Sequence, residues 1–501
     1  MKNKWLLLII IVAAAALRLY QLNLNPPSLN WDEAAVGWNA NTIFHTRRDE
    51  YGTRLPLSFK SFGDYKAPVY IYLTAPIVGL FGLNPVSVRL VSVLAGIAGV
   101  YLLYLLGSEL KNKQLGIIAA ALLAITPWHV ILSRPAFEPN LALFFILLGT
   151  YLFLKALHKP IYFALCAFSF TLSMYTYHSP KIFVPIFLLG LSYIFRRRLF
   201  SKKLRTGLLV SVFLGLVALT PMIKEMVLKN SAVRFQGTSV FYDQQGNKQP
   251  LKLPLITQIF KNYFIHYSPS YLFFGSSNMP RLELRTVGPL LLIEAPFLLI
   301  GLIYLLKNRR KQWAKLLLWW LVAGPIPAMI GREVPHPLRA YNLLPPLIII
   351  TALGIHFLLR SYQKVSRVII ILFAINVAFL IHHYFFVYPI YSAPDWQYGY
   401  QEAVVYARQN EDQVKKIVFT SAYGQPHIFA YFYQNRDPLS VFWGAMSKYL
   451  FRDIKWAEDK NLENVLIIGS AQEIPAGAPG IIKEILFPDG QVAFRIVKTK
   501  Q

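Results

Sequence analysis

An adjacent pair of acids, Asp32 and Glu33, follows the first apolar segment of the chain and is flanked by Trp31 and Trp38. Indole rings favour the boundary between a membrane and water, so the pair is expected there. Two carboxylates at such a place can take a proton from a substrate or hold a cation. The alternative interpretation is an acidic pair at the solvated start of a loop.

A third acid, Glu138, lies between Pro135 and Pro139 and is expected at the outer end of a helix pair, on the same face as the first loop. A solvated helix cap is the alternative for this residue. Asp32 and Glu33 have no neighbouring His or further ligands, which makes a weak metal site. A divalent cation, bound at Asp32 if anywhere, therefore stays an open possibility.

Cationic side chains form a second group with chemical potential. Lys66 precedes an apolar segment, where a lysine either extends its ammonium to lipid head groups or binds a phosphate at the membrane surface. A proline-stiffened loop at 331–342 supplies guanidinium and imidazole groups, which bind phosphate oxygens well but could equally contact anionic lipid. The candidate phosphate ligands are Lys66, Arg339, His336, Arg134, Lys181 and His178.

Composition places these residues in a membrane protein that crosses the bilayer several times. Of the 501 residues 55% are hydrophobic and 15% are charged, against roughly a quarter charged in soluble domains. The net charge of +27 does not indicate nucleic acid, because residues 395–501 hold 12 basic and 12 acidic residues and the excess lies in the apolar part. Cys166 is the only cysteine, which excludes a disulfide framework.

Hydropathy predicts about eleven membrane-spanning helices. The first, at 5–19, is short and could be a signal peptide, but the many later spans favour a retained helix. Alternate loops are rich in Lys and Arg, which places them in the cytoplasm. The apolar run 69–83 would invert this pattern if it crossed, so it is predicted to be interfacial or re-entrant. The other predicted spans are 87–106, 115–132, 141–157, 161–177, 182–195, 204–223, 289–306, 313–330, 343–359 and 368–387.

The loops on the outer side are long, at about 21–85, 224–288 and 331–342. Loops longer than about 15 residues usually carry function or are disordered, and the aromatic content here argues against disorder. Residues 389–501 alternate predicted helices and strands and end in a hairpin across Asp489-Gly490. The sequence thus predicts a transmembrane domain at 1–388 and a small α/β domain at 389–501, outside the cell.

The first 390 or so residues carry a series of short motifs in a fixed order. They are Asp32-Glu33, Asp49-Glu50-Tyr51-Gly52, Gly63-Asp64-Tyr65-Lys66-Ala67-Pro68, Ser87-Val88-Arg89-Leu90, Ser133-Arg134 with Glu138, and His336-Pro337-Leu338-Arg339. On the predicted topology, this pattern resembles the GT-C superfamily of membrane glycosyltransferases, near the protein O-mannosyltransferases and the aminoarabinose transferase of lipid A. The chain offers no P-loop or dinucleotide-binding glycine pattern, so a sugar transferase built on it would need a lipid-carried donor.

This resemblance implies a catalytic role for three acids and a donor-binding role for outer-loop cations. Asp32 would be the general base, Glu33 would complete the pair, and Glu138 would be the second-loop acid. Lys66 and Arg339 would bind the phosphate of a polyprenyl-phosphate sugar. Transfer to a hydroxyl of a protein, lipid or glycan would proceed with inversion, in the plasma membrane of a prokaryotic cell and at its outer face, without nucleic acid as a partner.

Two other functional classes stay open from the sequence. A transporter or a flippase for lipid-linked sugars would use intramembrane charges such as Glu294 for its substrate or for protons. A sensor with an outer binding domain would require neither Asp32 nor Lys66. The long outer loops and the lack of a visible internal repeat favour the transferase over both.

Overall fold

The computed structural model describes residues 2–228, 232–243, 245–362 and 366–500, and it is mostly helical. Residues 229–231 and 244 of the predicted outer loop 224–288 lie outside the described residues. In chain order the first part contains α1 (Lys2–Leu19), α2 (Trp31–Thr46), β1 (Phe59–Ser61), β2 (Asp64–Lys66), α3 (Pro68–Phe81), α4 (Pro85–Leu110), α5 (Lys113–Ile125), α6 (Pro127–Leu132), α7 (Glu138–Ala156), α8 (Tyr162–Thr176), α9 (Ser179–Ile194) and α10 (Arg196–Leu199).

The chain continues with α11 (Lys202–Leu228), α12 (Ala232–Thr238), α13 (Leu253–Ile265), α14 (Pro269–Phe274), α15 (Glu294–Lys307), α16 (Gln312–Ala323), α17 (Ile326–Met329), α18 (Leu344–Ser361), α19 (Ser366–His382) and α20 (Tyr388–Tyr391). A short 3-10 helix at Tyr341–Leu343 precedes α18, and a π-helical segment at His383–Val387 joins α19 to α20.

Each predicted span coincides with helical structure, although some helices begin or end at other residues than predicted. Pro127 divides the predicted span 115–132 into α5 and α6, because the residue before a proline is pushed out of the helical region, and Thr126 is extended. The helix predicted at 289–306 begins only at Glu294.

By length and apolar composition, five described helical segments could cross a membrane: Pro85–Leu110, Glu138–Ala156, Lys202–Glu225, Tyr341–Ser361 and Ser366–Tyr391. The shorter α3 packs against α2 and α4. The prediction of a multi-helix membrane protein is confirmed at this level, while the number of spans, their orientation and an interfacial α3 stay predictions.

Residues after Tyr391 form short helices and five strands. In chain order they are α21 (Tyr400–Gln409), β3 (Lys416–Phe419), α22 (Pro426–Gln434), α23 (Pro438–Phe442), β4 (Tyr449–Phe451), α24 (Trp456–Asp459), β5 (Val465–Ser470), β6 (Ile481–Leu486) and β7 (Val492–Lys498), with a 3-10 turn at Glu411–Gln413 after α21.

The five strands build one sheet flanked by helices, in the order β4-β3-β5-β7-β6. Strand β3 is parallel to β4 and β5, whereas β7 is antiparallel to β5 and β6. The predicted hairpin is present as β6 and β7, with Gly490 at a φ of 86° in its turn.

This C-terminal sheet shares a hydrophobic core with the first long loop. Helix α22 packs on α2, where the rings of Trp38 and Tyr431 lie 5.5 Å apart and a Cβ on Gly37 would collide with Phe432. One continuous cluster of buried side chains joins Val88 of α4 to Phe494 of β7. The shared core fixes α22 beside α2, the helix that carries Asp32. The domain boundary at residue 388 stays a prediction.

Close backbone contact between α15 and α18 depends on two glycines. A Cβ on Gly301 would overlap the carbonyl oxygen of Ile350, and a Cβ on Gly354 would overlap that of Phe297. Small residues are what allow helices to approach this closely in membranes.

Replacing Gly354 with Val should therefore lower the melting temperature of the detergent-solubilised protein, because overpacking costs about 1–3 kcal/mol. Gly215→Val is the matched control, since the nearest atom that a Cβ there would meet is the Cβ of Ala167 at 3.8 Å. Equal melting temperatures for the two variants would contradict the close contact.

Candidate functional site

Asp32 and Glu33 lie in the first turn of α2, and the helix cap turns them in different directions. The side chain of Asn30 accepts hydrogen bonds from the backbone N–H groups of Asp32 (2.8 Å) and Glu33 (3.1 Å). Glu33 Oε2 in turn accepts from the Asn30 N–H at 3.3 Å, which completes a capping box. The Asp32 side chain is 40% exposed, whereas that of Glu33 is fully buried.

Glu33 forms a buried two-point ion pair with Arg89 of α4. Arg89 Nε donates to Glu33 Oε1 at 3.0 Å, and Arg89 Nη2 donates to Glu33 Oε2 at 3.1 Å. The remaining donors of Arg89 bind the backbone carbonyls of Leu22, Pro26 and Ser28. Glu33 Oε1 also accepts from the Ala136 N–H at 2.8 Å. Glu33 thus joins the start of α2 to α4 and to the segment before Glu138, and its side chain does not line the cavity described below.

Lys66 meets the other acid of the pair. The hairpin of β1 and β2 ends at Lys66, and its Nζ lies 2.5 Å from Asp32 Oδ1. The Lys66 side chain is 9% exposed, so its ammonium is largely withdrawn from water. A charge-assisted contact in such a place is stronger than one on an open surface.

Asp32 and Lys66 lie in the wall of an open cavity of about 380 Å³. Glu138, at the start of α7, and His178, at the start of α9, line the same cavity, so the structure brings four of the predicted site residues together. The remaining wall consists of Trp31, Ser61, Phe62, Asp64, Ala67, Phe137, Thr176, Tyr177, Leu338 and Gln425.

A smaller pocket of about 40 Å³ adjoins this cavity and shares Lys66, Ala67 and His178 with it. Met174 and Met222 give it apolar walls, and its polar side chains include Lys181 and Glu225. The Lys66 side chain is therefore common to the open cavity and to a smaller pocket with largely apolar walls.

His178 and Lys181 are in contact with each other. His178 Nε2 lies 3.2 Å from the carbonyl oxygen of Tyr65, and Lys181 Nζ lies 3.4 Å from His178 Nδ1. Since a carbonyl only accepts and an ammonium only donates, this arrangement fits a neutral imidazole that carries its proton on Nε2.

Glu50 is a further acid near this wall. Burial raises the pKa of Glu50 to about 7, although a hydrogen bond with Asn39 opposes the shift. The Glu50 carboxyl is therefore largely protonated below neutral pH, where it adds little negative charge near the Lys66 ammonium.

Three other predicted phosphate ligands lie elsewhere. Arg134 is fully buried, and its guanidinium donates to the carbonyls of Leu17, Tyr20 and Asn25 at 2.7 Å each. The loop with His336 and Arg339 reaches the cavity through Leu338, while those two side chains do not line it.

The side chains of His336 and Arg339 both approach Glu333. Arg339 Nη2 lies 3.6 Å and His336 Nε2 lies 3.8 Å from Glu333 Oε2.

Within the described residues, no three His, Cys, Asp or Glu side chains are grouped to hold a metal. A divalent cation at Asp32 stays a prediction.

Glu225 and Gln425 are polar residues of these walls that were not predicted from the sequence. Glu225 follows the apolar stretch of α11, and an acid directly after a predicted span was an available signal. Gln425 lies far along the chain in an unremarkable polar turn, and only the packing of α22 on α2 brings it to the cavity.

Replacing Glu33 with Gln should destabilise the fold, because an uncompensated buried charge on Arg89 costs roughly 3–5 kcal/mol. We expect a clear fall in the melting temperature of the purified protein. Glu109→Gln is the control: its ion pair with Lys155 is partly exposed, at 23% and 34% for the two side chains, and such pairs contribute little. A Glu33→Gln protein that melts like the wild type would contradict this positioning role.

Parts of the chain are similar in sequence to known proteins. Residues 65–223 match the family model described as dolichyl-phosphate-mannose-protein mannosyltransferase. A Bacillus subtilis (strain 168) protein named "Putative mannosyltransferase YkcB" is 30% identical over 156 residues, which is 30% of this chain and 21% of that protein. The match thus spans about a fifth of the relative's length.

The fold is similar to that of ArnT from Cupriavidus metallidurans. In the apo state ArnT matches with a TM-score of 0.63 and 12% identity, covering 99% of this chain and 98% of that chain. ArnT bound to undecaprenyl phosphate matches with a TM-score of 0.57 and 13% identity over the same shares. The resemblance to the GT-C superfamily predicted from the sequence is confirmed as a resemblance: the fold is similar to that of ArnT, and residues 65–223 match the mannosyltransferase family model.

Proposed function

We propose that this protein is a glycosyltransferase that moves a sugar from a polyprenyl-phosphate donor to a hydroxyl of an acceptor. The observation that carries the proposal is the position of Lys66, which contacts Asp32 and lines both the open cavity and the adjoining apolar pocket. A phosphate that joins a lipid chain to a sugar needs such a cation between an apolar and a polar space.

The donor phosphate would lie against Lys66, His178 and Lys181. The bond between the anomeric carbon and the phosphate oxygen breaks during transfer, and negative charge grows on that oxygen. A preformed cation stabilises this charge where it develops. ArnT has been crystallised with undecaprenyl phosphate, which supports a lipid phosphate as the ligand of this fold.

Asp32 is the proposed general base. Its carboxylate is accessible from the cavity and would take the proton of the acceptor hydroxyl as the oxygen attacks the anomeric carbon. Direct displacement of the phosphate inverts the configuration at that carbon. Glu138 lines the same cavity and is the acid proposed to orient the acceptor.

The other predicted site residues take different roles in this proposal. Glu33 and Arg134 act by positioning, since both are buried and bound to other protein groups. His336 and Arg339 stay secondary candidates for the donor phosphate, because Leu338 between them forms part of the cavity wall. The reaction would take place at the outer face of the plasma membrane.

The test is intact-mass analysis of envelope glycolipids and glycoproteins from cells that contain the wild type, Asp32→Asn, Glu109→Gln or no protein. A hexose-type or pentose-type increment should appear with the wild type and with the Glu109→Gln control. Asp32→Asn should reduce it by about 10²–10⁴, the usual contribution of a general base.

Full product with folded Asp32→Asn would remove the assignment of Asp32. Identical profiles in all four strains, combined with a labelled lipid-linked sugar that stays on one leaflet without the protein, would favour the transporter or flippase instead.

A further inference from the structure

The C-terminal sheet region contributes one of the described residues to the wall of the cavity, Gln425. This residue is the N-cap of α22 and lines the cavity together with Asp32, Lys66 and Glu138. The second half of the chain thus takes part in the candidate site itself.

The side-chain amide of Gln425 is available for a ligand. Among the described residues it makes no hydrogen bond with protein, including none that would cap α22. A carboxamide offers two N–H donors and one carbonyl acceptor, so it can bind a hydroxyl as donor and as acceptor. Asp32 and Trp31 belong to the wall of the same cavity.

The turn that carries Gln425 is fixed relative to Asp32. Gln397 bridges the two segments, because its Oε1 accepts from the Trp31 N–H at 2.9 Å and its Nε2 donates to the Tyr423 carbonyl at 2.7 Å. Gly424 lies so close to Trp31 that a Cβ would come within 2.6 Å of the indole ring. The position of Gln425 is therefore set by the same segment that sets Asp32.

Gln425 itself has left-handed backbone geometry, with a φ of 48°. The next residue is Pro426, and a residue before proline normally prefers an extended conformation. Such geometry costs free energy and persists only where the surroundings hold it. Here the Gln397 bridge and the contact of Gly424 with Trp31 provide those surroundings.

Gln425 and Trp31 line the open cavity but not the adjoining apolar pocket, which is bounded by Lys66, His178 and Lys181. The lipid and phosphate of the donor would occupy the pocket side. We propose that Gln425 positions the acceptor, by hydrogen bonding to its polar groups next to the hydroxyl that Asp32 deprotonates. This inference rests on the proposed glycosyl transfer. It assigns part of the acceptor-binding site to the turn before α22.

The experiment compares wild type, Gln425→Met and Asn435→Met in the cells used for intact-mass analysis. Asn435 is the matched control, because it closes the other end of α22 with a φ of 46° and is exposed. Gln425→Met should lower the glycosylated product about tenfold, the effect of one hydrogen bond made in the transition state. Asn435→Met should leave the product unchanged.

A second measurement separates acceptor positioning from a structural or donor-binding role. Binding of undecaprenyl phosphate to the purified proteins should be the same for Gln425→Met and wild type, and so should their melting temperatures. Unchanged product with Gln425→Met, or weakened lipid-phosphate binding, would overturn the inference. Absence of product with the wild type would instead refute the proposed transferase function.

Discussion

The buried ion pair between Glu33 and Arg89 is the interaction on which the candidate site depends. It anchors the first turn of α2 to α4 and to the segment that precedes Glu138, so two cavity-lining acids are fixed by one contact. A buried pair of this kind brings little net stability, because desolvation offsets most of the attraction. Its value here is geometric, since it holds Glu33 inward and leaves Asp32 facing the cavity.

The cavity lies where three parts of the chain meet: the first long loop, the N-terminal ends of α7 and α9, and the turn before α22. Each part brings a different chemistry. The first loop supplies two carboxylates and an ammonium, the helix ends supply a further carboxylate and an imidazole, and the turn supplies Gln425. A reaction that needs a base, a phosphate ligand and an oriented acceptor fits this division.

Several features of the site could be predicted from the sequence because they are local. The acidic pair beside tryptophans, the basic residue before α3 and the alternating strands of the C-terminal region all have short-range signals. Neighbouring residues on a helix point in different directions, however, so adjacency alone could not decide which of Asp32 and Glu33 faces the cavity. Arg134 is a candidate phosphate ligand by residue type, but tertiary contacts place backbone carbonyls around its guanidinium. Gln425 reaches the site only because α22 shares a core with α2.

The most direct measurement is the binding of undecaprenyl phosphate to purified wild-type, Lys66→Met and Lys60→Met proteins. Lys60 lies in the same hairpin, and its ammonium rests over the ring of Tyr51 at 4.9 Å instead of lining the cavity. Loss of a charge-assisted contact to phosphate should weaken binding by Lys66→Met about tenfold or more, while Lys60→Met should bind like the wild type. Equal affinity of all three proteins would contradict the central claim that Lys66 holds the phosphate of a lipid-linked donor.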